Sequence, residues 1–250
     1  MAERSFYRMP SGPALPDDMD IANLDPAVRS QLRVLPKEVA EIVAKHLIMA
    51  GRLLNTDPAG ALAHAQAARS KAPRFGVVRE AVAEAAYHSE DWHAALMELR
   101  AARRVSGNDS YLPMIIDCER ALGRVEKAWE LLRQARERIL DVELRAELAI
   151  LASGMHREVG NLDAALTAVA VPELRTKQPS GWLARLRYSY ADVLAARGDY
   201  EQARTWFEWA VDADLDEVTD AGDRLLELDG VSLHSEPDDI PEADGSPSHQ

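Results

Sequence analysis

The chain has one cysteine, Cys118, in 250 residues. A single thiol excludes an internal disulfide and any multi-cysteine metal cage, and it fits a reducing cytoplasm. Aromatics make up only 6% of the residues, and no alternating stretch is long enough to suggest a sheet. Basic side chains are outnumbered, with 29 Lys and Arg against 42 Asp and Glu and a net charge of −13. Nucleic-acid phosphates and anionic membranes repel such a chain, whereas a basic partner protein suits it. Long apolar runs are missing as well. The stretch "VAEIVAKHLIMAG" is broken by Lys45 and His46 and falls short of a membrane span. The opening "MAERSFYRMPSGPALPDD" has no apolar core of a signal peptide. A soluble cytoplasmic protein is expected. P-loops, dinucleotide-binding glycines and serine elbows are also missing, so neither a cofactor nor a catalytic constellation is expected.

What the chain does contain is Ala, Leu, Arg and Glu, which lose little side-chain freedom in a helix. Residues 1–22, with Pro10, Pro13 and Pro16, read as a flexible lead-in. Residues 231–250 carry acids and prolines but no Lys or Arg, and read as a disordered acidic tail. Such a tail is either a solubilising end or a mimic of an acidic ligand. Between them, 23–230 is helical. Pro26 and Pro36 suit first helical turns, where a missing N–H is harmless. Turn signals then recur at "NTDPAG", "HSED", "LGRVE", "VGNLD" and "RGDYE".

Aligning those turns puts Thr56, Glu90, Gly123, Gly160 and Gly198 in register. Five residues later every repeat has alanine: Ala61, Ala95, Ala128, Ala165 and Ala203. Next come Ala65, Leu99, Leu132, Val169 and Phe207, and then Ala68, Ala102, Ala135, Pro172 and Ala210. The turns are 34, 33, 37 and 38 residues apart. This pattern resembles the tetratricopeptide repeat (TPR) family, whose unit is a 34-residue helix–turn–helix. The segment 184–217 carries it best, with Gly198, Tyr200, Ala203, Phe207 and Ala210 on the family's turn glycine, large, small, aromatic and second alanine positions. Pro73 falls on the family's closing proline. The composition and repeat style also resemble small TPR proteins of high-GC bacteria, a looser likeness that implies no specific activity.

The expected fold is therefore all-α, a right-handed TPR-type solenoid of about five helix–turn–helix repeats. These cover 42–75, 76–108, 109–142, 146–179 and 184–217, with capping helices at 26–35 and about 217–229. Gly198 is expected to end one helix in a left-handed conformation and Asp199 to cap the next. Tyr190, Tyr200 and Phe207 fall on core positions, and Leu225, Leu226 and Leu228 on a partly buried closing face. Pro172 replaces a small alanine, so the helix starting near Asp163 should stop around Val171. The extra residues "PELRTKQPSGW" then make an irregular joint, or a hinge or binding loop.

TPR proteins bind peptides or protein segments along a concave face built from first helices. Carried over by position, the resemblance implies Glu80, Glu84, His88, Asp117, Arg120, Glu147, Arg157, Arg185, Tyr188 and Asp192 as groove residues. The alternative is that these are ordinary solvated faces. Glu80/Glu84, Pro113/Asp117 and Tyr188/Asp192 replace the Lys and Asn that one subclass uses to grip C-terminal carboxylates, which disfavours that mode. Trp206 and Trp209 either lie beneath the closing helix or form, with Trp182, an exposed aromatic patch. Glu80, Glu84 and His88 share a helix face, but a surface Glu–His pair is favoured over a metal site. Cys118 reads as a packed residue rather than a nucleophile. Arg185 and Arg187 form a basic strip too small to favour nucleic acid.

These readings predict a noncatalytic scaffold or adaptor for a protein or peptide partner carrying basic segments. The alternatives are a regulatory or nucleic-acid-associated helical repeat protein, or a noncatalytic subunit of an enzyme complex.

Overall fold

Asp and Asn side chains set five of the twelve helix starts among the described residues. Asp25, Asp57, Asp91, Asp141 and Asn161 each accept a hydrogen bond from a backbone N–H of the first turn that follows. This satisfies a donor that the helix itself leaves unpaired. The computed structural model describes residues 12–16 and 19–230, and among them twelve α-helices, three short 3-10 turns and no strand. The expected acidic tail, 231–250, lies outside the described residues, as do residues 1–11, 17 and 18 of the lead-in.

The chain divides into two compact units, 1–140 and 141–250. The first unit holds α1 (Pro26–Leu32), α2 (Lys37–Leu53), α3 (Pro58–Lys71), α4 (Gly76–His88), α5 (Trp92–Ser106), α6 (Leu112–Ala121) and α7 (Val125–Arg136). From α2 onward these helices pair as α2–α3, α4–α5 and α6–α7, one pair per repeat. The second unit holds α8 (Val142–Glu158), α9 (Leu162–Val169), α10 (Gly181–Ala196), α11 (Tyr200–Ala213) and α12 (Ala221–Leu228). Here α8–α9 and α10–α11 form the pairs, and α12 packs on α11.

The small residue of each repeat lies where two helices cross. Ala61, Ala95, Ala128, Ala165 and Ala203 are all completely buried. The larger residues in the next register position, Leu99, Leu132, Val169 and Phe207, are buried with them. Pro172 breaks the register as expected. It is exposed, α9 ends at Val169, and residues Pro172–Arg175 form a 3-10 turn instead.

Gly123, Gly160 and Gly198 all have positive φ, which fits their role as helix stops. Glu90 takes the same conformation (φ 60°) without being glycine. Three local expectations need correcting. Tyr200 is 61% exposed, because it is the first residue of α11 and projects from the turn instead of into the core. Asp199 stands at the start of α11 but makes no side-chain cap, its carboxylate being 3.5 Å from the Arg197 guanidinium. Leu226 is exposed, while Leu225 and Leu228 are half-buried against the Phe207 cluster.

Part of the lead-in packs against the first unit. Met19 is buried, and the Gly12 backbone comes so close to α2 and α3 that an added Cβ would lie 2.4 Å from Ala67 Cβ. Only glycine fits there.

Candidate binding groove

The second unit contains a groove of about 1000 Å³. One wall is α8, with Ile150 and Arg157, and the facing wall is α10, with Arg185, Tyr188 and Asp192. The loop after α11 and the start of α12 close the remaining side. Four of the ten expected groove residues (Arg157, Arg185, Tyr188 and Asp192) therefore line one cavity, and a fifth, Glu147, ion-pairs with one of them.

Ion pairs tie these walls together. Arg185 donates through Nε to Glu147 at 3.0 Å and through a second nitrogen to the same oxygen. Arg157 pairs with Asp192, whose other oxygen is 3.1 Å from Arg224 of α12. The Arg224 guanidinium also lies 5.6 Å from the centre of the Phe207 ring, a favourable cation–π distance. Tyr188 packs edge-on to Phe207, with ring centres 5.3 Å apart. Burial, followed by a hydrogen bond to Asp220, pushes its phenol well above the ordinary range, so it stays protonated.

The loop wall lies outside the helix positions expected to form the groove. Asp214 accepts hydrogen bonds from the Val218 and Thr219 amides, both at 2.8 Å, and from the Thr219 hydroxyl at 2.6 Å. Burial opposes its ionisation, but those bonds outweigh burial and hold the carboxyl below its usual range. Glu217, inside this loop, has a positive φ of 52°. In sequence this loop is the acid-rich run "DADLDEVTD", whose residues carry no helical apolar period.

Charge is unevenly spread around the opening. Asp192, Asp214, Glu217, Asp220 and Asp223 line it, against Arg157 and Arg185, and both arginines already face carboxylates. The apolar surface comes from Ile150, Val211, Val218 and the Tyr188 ring.

The other expected residues lie in the first unit. Tyr111 donates to Glu80, and Tyr87 donates to Asp117, which also takes the Arg120 Nε–H at 2.7 Å. Glu80 and Glu84 edge a smaller cavity of about 210 Å³ with Val28, Leu47 and Val77. His88 is exposed beside the Tyr87 ring. Among the described residues no group of three or more potential ligands is placed to hold a metal ion. Cys118 is fully buried, and burial, then the charges of Asp117 and Glu119, push its thiol up to about 12, which makes it a poor nucleophile.

Trp182 and Trp206 are half-buried, and Trp209 is 44% exposed. Trp206 joins Tyr190 (ring centres 4.7 Å apart) and Trp209 (4.6 Å), and packs on the Val169, Leu174 and Leu186 cluster. The basic strip is occupied internally. Arg187 donates to the carbonyls of Leu174, Thr176 and Trp209 at 3.3, 2.8 and 2.8 Å. No helix of the described residues is long and apolar enough to cross a membrane.

No family model matches the chain, and no curated protein matches it in sequence. Solved structures do. PilF of Pseudomonas aeruginosa superposes with a TM-score of 0.51 at 17% identity, over 78% of this chain and 87% of that one. The apo form of the quorum sensor NprR from B. thuringiensis superposes with a TM-score of 0.59 at 18% identity, over 84% of this chain and 64% of that one. Both contain tetratricopeptide repeats. The fold is TPR-like. At these identities the likeness concerns architecture alone.

Proposed function

We propose that this protein is a noncatalytic adaptor that holds a basic segment of a partner protein in the groove of its second unit. One observation carries the reading. A cavity of about 1000 Å³ is lined by apolar side chains, an aromatic ring and five carboxylates, two of which, Glu217 and Asp223, are exposed and outside the ion pairs. Burial of apolar and aromatic side chains supplies binding energy, and the acidic rim selects cationic partners and speeds their encounter. The four-way link of Arg157, Asp192, Arg224 and Phe207 preorganises the walls, which lowers the entropic cost of binding. The TPR-like architecture supports the same reading, as does the likeness to a structure described as a quorum sensor.

Co-purification from the native cell, comparing the wild-type protein with Glu217→Lys/Asp223→Lys, tests the proposal. Both residues are exposed at the rim, so reversing them leaves the inner ion pairs intact. A basic partner held by the wild type and lost from the variant is the expected result. Equal capture by both would remove the groove from consideration.

A further inference from the structure

We infer that the first unit carries a separate anion site that takes a phosphate monoester. Four arginines, Arg100, Arg103, Arg104 and Arg138, converge on one pocket of about 330 Å³, together with Ile115 and Leu131. In a chain of net charge −13, such a local concentration of positive charge needs a reason. Placement at a helix C-terminus, where cations are favoured, accounts for Arg103 and Arg104 at the end of α5. It does not account for Arg100, a turn earlier, and Arg138, just past the C-terminus of α7, reaches the same pocket from a different helix.

Three of the four guanidinium groups are held in place, and Arg104 is exposed. Asp109 accepts from Arg103 (Nε 3.2 Å, Nη2 2.9 Å) and, through its other oxygen, from Arg138 at 2.5 Å. Arg100 is anchored by Glu119, which is 1% exposed and also pairs with Arg124 at 3.2 Å. Each anchor uses only part of an arginine's five N–H donors. Asp109 is the one carboxylate in the pocket wall against four guanidinium groups, so positive charge and unused donors remain.

A carboxylate ligand would bring a single charge and two oxygens, as Asp109 already does. A phosphate monoester brings a near-dianion and three terminal oxygens, which suits several arginine forks at once. Gly107 also lines the pocket, with a positive φ of 68° and open space where a Cβ would stand. A pocket of this volume lies at the lower end of the small-ligand range of about 300–1,000 Å³. A phosphorylated side chain and a small phosphorylated metabolite share this chemistry.

The test titrates the full chain with inorganic phosphate, adenosine monophosphate, and a short peptide with and without phosphoserine. Binding is read by calorimetry and by the Gly107 amide resonance. The phosphate-bearing probes should bind and shift that resonance, and the unphosphorylated peptide should not. Tighter binding of the phosphopeptide or of the nucleotide then identifies the source. Arg104→Ala/Arg138→Ala, confirmed folded by circular dichroism, should weaken binding about tenfold or more. Arg157→Ala, in the other unit, should leave it unchanged. The inference is overturned if no phosphate-bearing probe binds at millimolar concentration or if the double variant binds equally well. An oligonucleotide without a terminal phosphate outcompeting all the probes would likewise overturn it.

Discussion

His46 on α2 and His64 on α3 are both buried, with their Nδ1 atoms 3.0 Å apart. One imidazole must donate and the other accept, so the contact exists only while at least one ring is neutral at that nitrogen. Burial lowers the pKa of His64, and the nearby Asp57 only partly offsets this. The folded state therefore binds fewer protons than the unfolded chain. The stabilisation is complete above the ordinary histidine pKa of about 6.5 and is lost as pH falls through the lower folded value. Thermal melting should show the first unit weakening on acidification. His64→Gln, which keeps a donor and an acceptor, should flatten that dependence. Superimposable pH profiles for the two proteins would contradict it.

Glu90 occupies the turn position that Gly123, Gly160 and Gly198 fill in later repeats, and it has the same left-handed backbone. A side chain there brings Cβ too close to a carbonyl. Glu90 is also exposed, so little packing is at stake. Glu90→Gly should stabilise the protein by about 0.5–1 kcal/mol, once the greater freedom of glycine in the unfolded chain is subtracted. Urea unfolding would measure it, and a lowered midpoint would show that the glutamate backbone is unstrained.

The repeat was readable because its signal is local. A turn glycine, an alanine five residues on and an apolar residue four further each report a constraint within one helical hairpin, and Ala95 or Phe207 needs no distant partner to be recognised. The candidate groove was legible in part for the same reason, since Arg157, Arg185, Tyr188 and Asp192 occupy periodic helix positions. The Asp214–Thr219 loop was not, because its hydrogen bonds follow no period. Buried charge escaped as well. Glu98 is 2% exposed yet is met by Arg69 and Arg79, each at 2.8 Å. Each arginine arrives from a different helix, an arrangement that spacing along the chain does not reveal.

Arg187 fixes the irregular stretch after α9 by donating to three backbone carbonyls, two of them in that stretch and one at Trp209 on α11. Its half-burial lowers its pKa without discharging it, because an arginine remains protonated far above neutral pH. Arg187→Ala should cost about 2–3 kcal/mol, since three charge-assisted bonds, two of them partly buried, disappear together. Arg187→Lys should recover only part of that, because one ammonium lacks the planar fork that spans the three acceptors. Denaturant unfolding gives the energies. Limited proteolysis should show new cleavage within residues 171–180 in the alanine variant, and an unchanged digest would show that the loop holds its own shape.

Ala203 and Tyr200 separate what the repeat requires from what it merely contains. Ala203 is fully buried at the crossing of α10 and α11, beside the equally buried Phe207. A larger side chain has no room unless the helices part, so Ala203→Leu should destabilise by about 1–3 kcal/mol. Tyr200 occupies a position that is large in the family, yet it is 61% exposed. Removing its ring exposes no core, and Tyr200→Ala should stay within about 0.5 kcal/mol of the parent. Paired urea melts of the two variants would decide it. A large loss from Tyr200→Ala would mean that the ring has a packing partner, and tolerance of leucine at 203 would mean that the helix crossing is looser than its complete burial indicates.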